Sequence, residues 1–209
     1  MTDESNLTHE DQALGNADLM TCFEKQRAAY LADPNPGLEQ RRQDLKSLKS
    51  LLADNIDAIA EAINKDYGNR SYHETMLAET IMVLEGVSRS SKNLKKWMRE
   101  QKRHIDVTTY PGARNRVIPQ PLGVVGVIVP WNFPIQLSLG PLACIFAAGN
   151  RAMVKMSENS RHLASLLIKL APGYFPPEKL CFFDETGNVG VSFSQLPFDH
   201  LLFTGSSET

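Results

Sequence analysis

The residues best suited to chemistry lie in one short segment, Pro130-Trp131-Asn132-Phe133-Pro134. Prolines at both ends fix φ there and stiffen the backbone between them. Asn132 is thereby held on a rigid corner. Its amide donates two hydrogen bonds and does not ionise. A fixed neutral donor suits an oxygen that gains negative charge as a reaction proceeds. The competing role is structural, a cap on the helix that begins near Pro134. Two further polar segments, Lys155-Met156-Ser157-Glu158 and Thr204-Gly205-Ser206-Ser207, also follow directly on apolar runs. Each has a plain alternative: an ordinary lysine at a strand end, a Ser or Glu that helps start the next helix, and a simple turn.

The elements that must position these residues are legible from periodicity. Val124–Val129 is a β-branched run interrupted only by Gly126, as expected of a strand buried on both faces. An apolar helix (Ile135–Ala148), a strand (Ala152–Lys155), a helix (Arg161–Ala171), a strand (Leu180–Phe183), a short helix (Val189–Leu196) and a strand (His200–Phe203) follow. Such alternation predicts a parallel α/β sheet with right-handed crossovers. In these sheets ligands bind beyond the carboxyl ends of the strands. All three polar segments fall there.

The first hundred residues read differently. Residues 1–16 lack periodicity and are expected to form a mobile tail. From Asp18, read as a cap, Leu19, Phe23, Tyr30 and Leu31 share a helical face, and Pro34 and Pro36 end that helix. Leu45, Leu48, Leu52, Ile56, Ile59 and Ile63 predict one long amphipathic helix closed by Gly68. Leu77, Ile81, Leu84, Val87, Leu94 and Met98 predict another, with a basic end that suits the negative pole of a helix. Ile105–Tyr110 and Arg114–Ile118 flank the turn pair Pro111-Gly112 and predict a hairpin.

Gln120-Pro-Leu-Gly-Val-Val-Gly-Val-Ile-Val-Pro-Trp-Asn-Phe-Pro134 resembles the aldehyde dehydrogenase superfamily signature around its Pro-Trp-Asn-x-Pro core. Ala148-Gly-Asn-Arg-Ala-Met-Val-Lys155 with Ser157-Glu158, and Leu202-Phe-Thr-Gly-Ser206, resemble two further signatures of that family, in the family's order. Met153–Ser160 is most similar to its coniferyl-aldehyde and fatty-aldehyde branch. Met156 departs from the family pattern, which has Pro between the Lys and the Ser; loss of that ring is expected to loosen the segment.

The resemblance implies an incomplete Rossmann-like cofactor domain, residues 17–103 and 120–209, with an N-terminal helical layer and an oligomerisation hairpin over 104–119. It implies that Asn132 donates to the oxyanion of a tetrahedral thiohemiacetal. Ile128, Val129, Pro130 and Trp131 would line the cofactor groove, Lys155 and Glu158 would bind the adenosine ribose, and Gly205 and Ser206 would face the pyrophosphate. NAD is expected over NADP, because Glu158 repels a 2′-phosphate, with NADP tolerated. The hairpin implies a homodimer. Oxidation of an aldehyde to an acid also needs a thiolate and a base. The family carries these beyond its Phe-Thr-Gly-Ser loop, and Cys22, Cys144 and Cys181 all sit in apolar contexts that read as buried and inert. The chain on its own is therefore expected to be inactive. A non-catalytic nucleotide-binding or oligomerising module is the other reading.

Composition agrees with a small-molecule enzyme. A formal charge of -2 over 209 residues supplies no attraction to nucleic acid or an anionic membrane. No apolar stretch reaches the roughly 18 residues of a membrane span. The polar, acidic start is unlike a secretory signal or transit peptide, so a cytoplasmic address is expected. Three scattered cysteines and five isolated histidines fit free thiols in a reducing compartment and no metal site.

Overall fold

The computed structural model describes residues 9–186 and 189–206, and their side chains from residue 18 onward. The expected tail thus lies partly outside the described residues. Its later part, from His9, belongs to α1 (His9–Ala32), so Asp18 is inside a helix and is not its cap. The helix stops just before the proline pair, as predicted.

The long pattern from Leu45 to Ile63 is two helices, α2 (Leu38–Ala53) and α3 (Ile56–Tyr67). The break is at Asp54 and Asn55. The Asn55 side-chain amide donates to the Leu51 carbonyl and the Tyr174 hydroxyl, both at 2.9 Å, so it satisfies the end of α2 in place of another turn. Gly68, at φ 77°, caps α3 in the left-handed conformation.

The third helix departs further from expectation. It comprises α4 (Tyr72–Thr75), one π turn (Met76–Thr80) and α5 (Ile81–Trp97). A π turn adds one residue and rotates the preceding helix by about 100° relative to the turns after it. Leu77, inside that turn, is 70% exposed, and Ile81, off the Val83, Val87 and Leu94 face that α5 buries, is 41% exposed. Glu79 and Thr80 are buried, Glu79 one turn before Val83 on the same face.

The hairpin is present but displaced. Its strands are β1 (Gln101–Arg103) and β2 (Asn115–Val117), antiparallel, with Gln101 opposite Val117 and Arg103 opposite Asn115. The stretch expected as its first strand instead turns. The Asp106 carboxylate takes the Thr108 amide and the Thr108 and Thr109 hydroxyls, a local arrangement that competes with strand pairing.

The α/β part follows the predicted order: β3 (Val124–Ile128), α6 (Pro134–Ala147), β4 (Arg151–Lys155), α7 (Arg161–Leu170), β5 (Leu180–Phe183), α8 (Val189–Ser194) and β6 (His200–Phe203). The four strands form one parallel sheet in the order β5-β4-β3-β6. Alternate residues serve its two faces. Val125, Val127, Ala152, Val154 and Phe182 pack with α2, α3, α5, α6 and α7 in the larger core. Val124 and Met153 join Leu19, Phe23, Val189 and Phe193 of α1 and α8 in the smaller one. Gly126 belongs to the second face, where a Cβ would lie 2.5 Å from the Phe198 ring, which explains the one gap in that β-branched run.

Candidate functional site

Register brings the strand ends level. Ile128 lies opposite both Lys155 and Phe203, and Lys155 lies opposite Phe183. The exits of β3, β4, β5 and β6 therefore share one rim. The chain proceeds from β3 outward to β4 and β5, then returns to place β6 on the other side of β3. That reversal makes the gap between β3 and β6 the topological switch point, where such sheets take ligands. The Pro130–Pro134 corner and Thr204-Gly205-Ser206 both leave strands that flank it.

The Asn132 corner is held from outside. Tyr67, at the end of α3, places its hydroxyl 2.6 Å from the Trp131 carbonyl and 2.5 Å from the Asn132 carbonyl. Arg70 donates to the Asn132 carbonyl at 3.0 Å and pairs with Glu79 at 3.2 Å. Its guanidinium sits between the Tyr67 and Phe133 rings, 4.8 and 5.2 Å from their centres. Glu79, fully buried, accepts from the first free amides of α6, Ile135 at 2.7 Å and Gln136 at 3.2 Å. Burial pushes its carboxyl above the ordinary range, opposed by those amides and by the Arg70 charge.

In this arrangement Asn132 does not cap α6. Its Oδ1 accepts only from the neighbouring Phe133 amide, at 3.1 Å, whereas Glu79 caps the helix. Because that partner is a donor, the bonded atom is the oxygen. The NH2 end makes no hydrogen bond among the described residues, and the side chain is exposed. Tyr67, Arg70 and Glu79 were not singled out from the sequence. The signal was there in part: Glu79 is a lone carboxylate four residues before Val83, on the face that α5 buries.

The β4 exit carries a buried cation. Lys155 is 7% exposed and forms an ion pair with Glu185, two residues beyond β5. Glu185 also accepts from the Gly190 amide at 3.2 Å. Lys155 thus meets Glu185, which sequence reading missed, while the exposed Glu158 bonds Ser157 Oγ at 3.2 Å and Asn159 Nδ2 at 3.3 Å. Met156 does not loosen the segment. Its amide donates to the Phe183 carbonyl at 2.8 Å, a bond that proline cannot make, and its side chain is buried in the larger core. Ile128 is half-buried, Val129 buried, Pro130 half-buried and Trp131 54% exposed. Gly205 and Ser206 are exposed at the β6 exit, with the Phe203 ring folded so closely over Gly205 that no Cβ fits.

None of the three thiols stands on this rim. Cys22 and Cys181 are packed together below the sheet. Cys144, expected to be buried, is exposed on α6 beside a cleft of about 340 Å3 lined by Arg41, Trp97 and Pro119. It lies ten residues past Pro134, about 15 Å along the helix from its rim end.

The aldehyde dehydrogenase family model matches residues 6–209. The chain belongs to the aldehyde dehydrogenase family. A probable coniferyl aldehyde dehydrogenase of Pseudomonas aeruginosa is 48% identical over 189 residues, covering 90% of this chain and 40% of that protein. The coniferyl aldehyde dehydrogenase of a Pseudomonas species is 42% identical over 194 residues, 93% of this chain and 40% of that one. Among solved structures, substrate-bound AldH of Staphylococcus aureus superposes with a TM-score of 0.82 at 26% identity, over 91% of this chain and 41% of that chain. An indole-3-acetaldehyde dehydrogenase of P. syringae, solved with NAD+, has the same fold at 24% identity and a TM-score of 0.79, over 93% of this chain and 39% of that chain. This aldehyde dehydrogenase chain spans about 40% of the length of the curated relatives it matches.

Proposed function

We propose that this chain supplies the cofactor-binding and oxyanion-stabilising part of an NAD(P)-dependent enzyme that oxidises an aldehyde, coniferyl aldehyde or another aromatic or aliphatic one, to its carboxylic acid. The observation that carries the reading is the externally braced Asn132 corner at the switch point, with its amide nitrogen unengaged. A donor already fixed before charge develops costs no reorganisation during the reaction.

The donor set at the β4 and β5 exits fits a ribose diol, whose hydroxyls both donate and accept. Lys155 would donate to it, and Glu158 and Glu185 would accept from it. Ile128, Val129, Pro130 and Trp131 would form the groove wall, and Gly205 and Ser206 would face the pyrophosphate. When bound, a nicotinamide cofactor would supply a hydride acceptor, one hydrogen nucleus with its two electrons leaving the aldehyde-derived carbon. Two carboxylates beside the ribose disfavour a 2′-phosphate, so NAD is the preferred form. Asn132 steadies the tetrahedral oxygen. The family's nucleophilic cysteine and base follow its Phe-Thr-Gly-Ser loop, so on this reading the 209 residues alone would not turn over an aldehyde. The exposed strands β1 and β2 would support a homodimer, in the cytoplasm.

The position of all three thiols away from the rim favours a second reading, a nucleotide-binding module without catalysis. One experiment separates the two. The longest polypeptide encoded by the gene is assayed with NAD+ and a panel of aldehydes beside Asn132→Ala. Turnover that falls about 100- to 1,000-fold in the variant, with NADH affinity kept, supports the enzyme. NADH binding without turnover of any aldehyde supports the module. Turnover unaffected by Asn132→Ala overturns the assigned role.

A further inference from the structure

We propose that Cys22 and Cys181 are a modification site, a thiol pair that a peroxide closes to a disulfide joining α1 to β5. The two residues are 159 positions apart, yet their sulfurs approach to 2.6 Å. The approach is held on both sides. Four residues after Cys22, Gln26 donates to the carbonyls of Ala152 at 2.9 Å and Pro177 at 3.0 Å. One residue further, Arg27 clasps both carboxylate oxygens of Asp199, which in turn accepts from the Val124 amide. On the strand side, Cys181 Sγ lies 3.2 Å from the Pro177 carbonyl. Gln26 and Arg27 thus fix this stretch of α1 against β4 and the segments that lead into β5 and β6, by bonds that do not involve the sulfurs.

The thiols are also chemically distinct. Cys22 is buried, and its hydrogen bond to Cys181 together with burial pushes its thiol up. The same hydrogen bond holds Cys181 below the ordinary range, and Cys181 is only half-buried. Cys181, the more accessible of the two, is the thiol that peroxide reaches first, and Cys22 is the resolving thiol. In the first step Cys181 Sγ bonds one peroxide oxygen and the O–O bond breaks; the departing hydroxide takes a proton and leaves as water. In the second, Cys22 Sγ attacks Cys181 Sγ, the S–O bond breaks, and the hydroxyl departs with the Cys22 proton as a second water. Two thiols lose two electrons and one peroxide gains them. Cys144, exposed and remote from both, is a reference thiol within the same molecule.

The test uses the reduced 209-residue chain. It is treated with a few equivalents of hydrogen peroxide, quenched with catalase, then unfolded in urea with N-ethylmaleimide and weighed intact. The expected product carries one maleimide rather than three and has lost two hydrogens. A non-reducing peptide map joins the Cys22 and Cys181 peptides, and phosphine reduction before labelling restores three maleimides. Cys144→Ser is expected to close as readily, and Cys22→Ser to block closure. Three maleimides after peroxide, oxidation of Cys144 ahead of the pair, or a sulfinic acid on Cys181 without a cross-link would each overturn the proposal.

Discussion

Replacing Glu79 by Ala tests the brace behind the Asn132 corner. The substitution strips two α6 amides, at 2.7 and 3.2 Å, of their acceptor and leaves the almost fully buried Arg70 without its inner partner. Removing one member of a buried ion pair costs about 3–5 kcal/mol, because a charge is left uncompensated. Arg70 keeps Glu74 at 3.6 Å, the Asn132 carbonyl and two aromatic faces, which places the loss near the lower end, about 3 kcal/mol. For a chain of this length each kcal/mol moves the melting point by about 2–4 °C, so the variant should melt about 6–12 °C lower. Glu79→Gln keeps an acceptor and should lose about half as much, while Glu39→Ala, at an exposed i,i+3 pair, should stay within about 0.5 kcal/mol. Urea unfolding at neutral pH measures all three. Acrylamide quenching of Trp131, isolated in a Trp97→Phe background, reports loosening of the corner. A Glu79→Ala melting point within about 1 °C of the parent would refute the reasoning. The pH dependence adds a second check. The folded carboxyl is raised, so between the unfolded and folded values the folded chain binds more protons and stability falls as pH rises. That component of the slope should vanish in Glu79→Gln.

Three further outcomes are expected. Glu185→Gln, which leaves Lys155 without its ion-pair partner, should improve NADPH binding relative to NADH by about tenfold, or 1.4 kcal/mol, in paired fluorescence titrations; an unchanged ratio removes Glu185 from the ribose site. Asp106, held by the Thr108 and Thr109 hydroxyls, should titrate at about 2 rather than 3.8. Its contribution is thus present above 3.8 and lost as pH falls toward 2, and a carboxyl carbon NMR midpoint near 3.8 would contradict the turn geometry. Gly126→Ala drives a methyl into the Phe198 ring and should cost about 1–3 kcal/mol in urea unfolding; a neutral result would mean that the ring moves aside freely.

The parallel sheet was legible in the residues because each strand is a short apolar run whose ends are marked by Pro, Gly or Lys. Leu180–Phe183 and His200–Phe203 were placed to the residue. The helical layer was less so. The Leu and Ile spacing through Ile63 is continuous, and only the tertiary contact of Asn55 with Tyr174 reveals that it is two helices. Likewise, Leu77 and Ile81 fit a helical stripe in sequence, yet both are exposed, because the face that α5 buries runs through Val83, Val87 and Leu94. At the candidate site, the sequence marks Asn132 and Lys155 only by their type and their place at strand exits, which the structure keeps on one rim. Their partners Tyr67, Arg70 and Glu185 come from elements distant in sequence and have ordinary side chains, so nothing local marks them.

The capping pattern gives these partners a common logic. Both helices that leave the rim after β3 and β4 have candidate caps of their own, Asn132 before α6 and Ser157 or Ser160 before α7. Neither helix uses them. Glu79, from the π turn, takes the Ile135 and Gln136 amides, and Asp66, from α3, takes the His162 and Leu163 amides at 2.8 and 3.0 Å. Ser160 Oγ is buried without a partner. A local cap would turn the rim's polar side chains back onto their own helices, where their donors and acceptors are consumed. Carboxylates supplied by the N-terminal layer satisfy those amides from behind, and at α6 this leaves the Asn132 amide nitrogen uncommitted among the described residues. The layer that looks like mere packing in the sequence therefore caps α6 in place of Asn132, through Glu79, and α7 in place of its own serines, through Asp66.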